Sequence, residues 1–143
     1  MASASDKFKA LLPSQLGVGP HAVRLVQEAQ MAARHNLWVS VIILSATIVD
    51  VMRHEDEIFD LSDLQEEEAG YDYDQAGYFE AGGYDYLNAA ERKKLEWLRS
   101  TRNQLVHYEG PVEGMLGRPS DEGTLAQMAD KALSALLIIL EKD

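Results

Sequence analysis

Apolar positions recur with helical spacing in four stretches of the chain, most regularly in the last. There Leu125, Met128, Ala129, Ala132, Leu133, Leu136, Leu137 and Leu140 follow the i, i+3, i+4, i+7 rhythm of an amphipathic helix. Ser120 stands where an N-cap belongs, and Asp121 and Glu122 fill a first turn whose dipole favours negative charge. Residues 110–119 hold three Gly and two Pro, which makes them a loop.

Nearer the N-terminus, Pro20 opens a second periodic stretch with the stripe Ala22, Leu25, Val26, Ala29, Ala32 and Ala33. His35-Asn36 predicts its end, because Asn tolerates the left-handed conformation that closes helices. From Leu37 to about Arg53 apolar residues fall on nearly every face, including Trp38, Val41, Ile42, Ile43, Leu44, Ile48 and Val49. A helix apolar all round is the buried, central one. The β-branched content would also allow a strand, but the length and the lack of turn residues favour helix. A further helix is expected over residues 88–107, with Leu95, Leu98, Leu105 and Val106 in one narrow arc. Residues 6–12 add a short helix ended by Pro13. These elements predict an all-α, up-and-down four-helix bundle with a short N-terminal helix, as one domain over residues 1–143.

Charge changes the picture in one place. The formal net charge is −11, but residues 55–86 hold 12 acidic residues and no Lys or Arg. The rest of the chain has 13 basic against 12 acidic residues, a balance of +1. This acidic, Tyr/Gly-rich insert lies between the second and third main helices and repeats crudely, Tyr71-Asp72-Tyr73 returning as Tyr84-Asp85-Tyr86. It reads as a solvated loop, or alternatively as an interaction element whose tyrosines and carboxylates mimic a nucleic-acid strand.

Several classes of chemistry drop out. The chain has no Cys, so disulfides, thiolate metal sites and thiol nucleophiles are excluded. It has no phosphate-binding glycine loop, no dinucleotide fingerprint and no His/Glu metal spacing on a helix. No apolar leader opens the chain, and the apolar run 37–49 is too short for a bilayer, so a cytoplasmic protein without membrane attachment is expected.

Arg102 is the residue that fits its surroundings least well. It projects into the arc set by Leu95, Leu98 and Leu105, where an unpaired charge would be costly. Asp50, embedded in the apolar second main helix, has the opposite problem, and an Arg102–Asp50 pair would solve both. His107 lies five residues on, about 140° around a continuous helix, so it does not share a face with Arg102. Asn103 and His107, four apart, do share a side.

The run Leu98-Arg99-Ser100-Thr101-Arg102-Asn103-Gln104-Leu105-Val106-His107-Tyr108 carries a family resemblance. Arg102-Asn103-Gln104-Leu105-Val106-His107 is similar to the Arg-polar-x-x-x-His signature of HEPN domains, late in the third helix of a four-helix bundle. The coarse likeness covers residues 20–142, interrupted by the insert. It implies a homodimer bringing two motifs into one cleft and a metal-independent RNA endonuclease of toxin, defence or RNA-processing type, without cofactors. His107 would be general base or acid for attack by the ribose 2′-hydroxyl, Arg102 would bind the scissile phosphate, and Asn103 would orient a group; beside these, the sequence offers Asp50 and Tyr108 as binding or orienting residues. Some toxin members have Tyr two residues after the His; here that position is Glu109, and Tyr108 comes one residue after. Modification by a nucleotidyltransferase antitoxin therefore does not carry over, although a protein partner or antitoxin remains among the expected partners. The alternative is a non-catalytic HEPN-like module that binds RNA or protein.

Overall fold

The computed structural model describes residues 3–63 and 87–142, and everything described is helix or connection, with no strand among the described residues. The helices are α1 (Ala4–Ala10), α2 (Pro20–Arg34), α3 (Trp38–Asp63), α4 (Ala89–His107) and α5 (Asp121–Lys142), with a 3-10 turn at Pro13–Gln15 between α1 and α2. The molecule is all-α.

Local chemistry sets most of the helix ends. Ser3 caps α1, its side chain accepting from the Asp6 backbone N–H at 3.1 Å, so that helix starts two residues before the predicted Asp6. Asn36 takes φ 59°, the left-handed conformation expected of it, and separates α2 from α3. Asn88 and Glu91 form a capping box at α4: Asn88 Oδ1 accepts from the Glu91 N–H at 2.8 Å, and Glu91 Oε1 accepts from the Asn88 N–H at 3.0 Å. Tyr108, left-handed at φ 46°, closes α4.

One boundary differs from the sequence expectation. The second main helix was expected to stop near Arg53, but α3 runs on to Asp63. Residues 54–63 hold no Gly or Pro to break the backbone, so nothing local ends the helix at Arg53. The start of the acidic stretch 55–86 is therefore helical, and the Tyr/Gly repeat lies outside the described residues.

α3 is the hub, packing against α2, α4 and α5. Val41, Ile42, Ala46, Ile48, Val49 and Met52 are buried along it. α5 contributes Ala129, Ala132, Leu133, Ala135, Leu136, Leu137, Ile139 and Leu140, and α2 contributes Ala22, Val26, Ala29, Ala32 and Ala33. Small residues on α2 allow close approach, while the larger aliphatics of α3 and α5 fill the centre. α5 is also long and apolar enough to span a membrane by length and composition, but its apolar side is buried in this core. Val106 departs from its predicted place in the apolar arc: it is 53% exposed.

Side-chain contacts give the helix directions. Trp38 Nε1 donates to Glu122 Oε1 at 2.8 Å, placing the starts of α3 and α5 together. Lys131 sits 4.1 Å from the Trp97 ring centre, and Glu91 shares a cavity wall with Leu137 and Glu141, so α4 and α5 run opposite ways. α3 and α4 are therefore antiparallel. At the other side His21 Nδ1 lies 3.5 Å from Glu55 Oε2, bringing the start of α2 to the later part of α3. α1 is tied on by a buried glutamine: Gln30 Nε2 donates to the carbonyls of Phe8 and Leu11 at 3.0 and 2.9 Å.

Candidate functional site

The polar residues singled out on α3 and α4 meet in part. Arg102 Nη1 stands 3.4 Å from Asp50 Oδ2, and Arg102 Nη2 donates to Asn103 Oδ1 at 3.0 Å. The expected Arg102–Asp50 pair thus forms, as a long contact between half-buried groups with side chains 26% and 23% exposed. Arg102 Nε is buried without a hydrogen-bond partner among the described residues. The guanidinium is held on two of its nitrogens and left incomplete on the third.

Asp50 sits in a field of cations. Burial pushes its carboxyl above the ordinary 3.8, and Arg102, then His54, Arg99 and Arg53, pull it part of the way back. Arg53 is almost fully buried, whereas His54 and Arg99 are exposed. None of these three was among the site residues expected from sequence. The signal was present, since Arg99 precedes Arg102 by one turn and His54 follows Asp50 by one turn, but nothing in the sequence sets the two helices side by side.

His107 is exposed in the last turn of α4, and Tyr108, 74% exposed, follows it in the left-handed cap. α4 remains α-helical through His107, so the angular separation of about 140° from Arg102 holds. Within one chain, then, Arg102 joins Asn103 and Asp50, while His107 and Tyr108 lie at the helix end.

Charge along α4 adds to this. The helix carries Arg92, Lys93, Lys94, Arg99 and Arg102 against Glu91 and Glu96, in a chain of net charge −11. Two surface cavities lie elsewhere: one of about 400 Å³ walled by Lys7, Glu91, Asp130, Ser134 and Glu141, and one of about 320 Å³ between α2 and α3 walled by Met31, Leu37 and Leu44. Neither includes Arg102 or His107. Among the described residues no group of three or more His, Cys, Asp or Glu is placed to hold a metal ion.

Comparison with protein families, with curated proteins and with solved structures returns no match in any of the three.

Proposed function

We propose that this chain is a HEPN-like four-helix bundle acting in the cytoplasm as a metal-independent RNA endonuclease. The observation that carries this reading is the outer end of α4, where a tethered, partly exposed Arg102 and an exposed His107 stand on the chain's basic helix. A guanidinium is a fixed positive partner for a phosphate, and an imidazole titrates near neutral pH. His107 would take the proton of the ribose 2′-hydroxyl, which attacks the adjacent phosphorus; the 5′-oxygen of the next nucleotide leaves and is protonated. Arg102 would stabilise the charge that develops on the phosphate oxygens. Because the two side chains diverge on one helix, a complete site draws Arg102 and His107 from two copies in a homodimer.

The test is cleavage of mixed RNA substrates in EDTA by wild type, Arg102→Ala and His107→Ala. Wild type is expected to leave 2′,3′-cyclic phosphate ends. Each variant should lose at least about 100-fold in rate while melting like a folded protein. No cutting by wild type on any substrate would overturn the nuclease reading.

The Arg102–Asp50 contact favours a second reading, in which the motif serves packing and the domain binds RNA or a protein partner without cleaving. In that case the Arg102 variant differs from wild type in stability rather than in product.

A further inference from the structure

Helical geometry puts a residue outside the motif between its two members around α4. Arg99, Asn103 and His107 are spaced i, i+4, i+8 along one continuous helix, and each step turns the row by only about 40°. Arg99 therefore lies about 80° from His107 and about 60° from Arg102, between the two around the helix, and about 12 Å from His107 along the axis. Across the seam, Asp50 opposite Arg102 fixes the register of the antiparallel α3 and α4. One turn further along α3, His54 comes level with Arg99, and both are exposed. Both also act on the Asp50 carboxyl, as their placement on this seam requires.

We infer that Arg99 and His54 form a subsite for a backbone phosphate flanking the one at His107, so that single-stranded RNA runs along α4. The inference rests on the RNA-directed reading above and extends it to residues the signature does not contain. Two nitrogen donors from neighbouring helices, the planar fork of Arg99 and the imidazole of His54, suit a phosphate diester with two free oxygens. Asn103, midway in the row, has its side-chain oxygen on Arg102, and that bond does not use its amide N–H groups. Arg99 and His54 both have further interactions within the chain, so an arriving phosphate exchanges partners with them. A single strand suits the row because its phosphates can follow one helix without the fixed groove geometry of a duplex.

The experiment is binding of a labelled single-stranded RNA oligonucleotide in EDTA over a series of salt concentrations. It uses wild type, Arg99→Gln, Arg99→Lys, His54→Gln and, as a control on α2, Arg24→Gln. Arg99→Gln is expected to weaken binding about tenfold and to reduce the slope of log affinity against log salt by about 0.7, the loss of one phosphate contact on a single strand. Arg99→Lys should keep the slope, His54→Gln should weaken binding less, and Arg24→Gln should match wild type. Thermal melts of each variant confirm the fold. If Arg99→Gln binds with wild-type affinity and slope, the subsite is overturned even where cleavage is observed. If RNA binds as expected but is never cut, the subsite stands and the nuclease reading fails; if wild type binds no RNA, both fall.

Discussion

Asp50 faces opposing demands. Its carboxyl lies half-buried on α3, where desolvation favours the neutral form, yet it is approached by Arg102 at 3.4 Å. Burial wins, so the folded chain holds the Asp50 proton more tightly than the unfolded chain does. The sign is opposite to that of an ordinary salt-bridged carboxylate. Below the unfolded value near 3.8 both states are protonated and Asp50 costs nothing. As pH rises through 3.8 towards the raised folded value the unfolded state ionises first, and the wild type loses stability that it does not recover at higher pH. Asp50→Asn should therefore gain on wild type between about pH 3 and pH 7 in urea unfolding. An equal difference at both pH values would mean that the carboxyl does not carry this penalty. Arg102 still matters to the charged form, because removing it leaves the ionised carboxyl with less to offset its burial.

At the scale of the element, α4 carries its own end chemistry. Its N-terminus is closed by the reciprocal Asn88–Glu91 box, directly after Leu87, which is buried in the core. Asn88→Ala should lower stability by about 1 kcal/mol, read from the shift in denaturant midpoint at unchanged slope. A loss below a few tenths would mean that packing of Leu87 and Leu95 holds this end without the cap. The start of α2 has no such box. Gly19 stands at the N-cap without a side-chain cap bond of its own, and the Glu55 carboxylate of α3 occupies the space that a Cβ would take. A carboxylate at that end meets the positive pole of the helix.

For the molecule as a whole, the divergence of Arg102 and His107 decides what a single chain can do. On the proposed reading, a site needing both at one phosphate would be incomplete in one copy, and a homodimer would supply the missing half. Mixing inactive Arg102→Ala chains with inactive His107→Ala chains should then restore part of the RNA cleavage, because mixed dimers can hold an intact residue of each kind facing the other. Wild-type protein should sediment as a dimer at micromolar concentration. Continued inactivity of the mixture, with subunit exchange verified, would place the whole site within one chain and remove the need for a second copy.

Period, caps and breaks were legible in the sequence because they act over a few neighbouring residues. The stripe on α5, the separation at Asn36, the start of α4 at Asn88 and the all-helical class all follow from such local rules. The Arg102–Asp50 pair was also within reach, since two charges on apolar faces each require a partner. What local patterns do not contain is which helix lies beside which, and at what register. Only the tertiary structure sets Asp50 level with Arg102 and His54 level with Arg99, buries Gln30 as a tie between α1 and α2, and leaves Val106 exposed inside an apparently apolar arc. The continuation of α3 to Asp63 belongs with these. The hydrophobic period reports an amphipathic face, and it does not by itself say where the backbone hydrogen bonds of a helix stop.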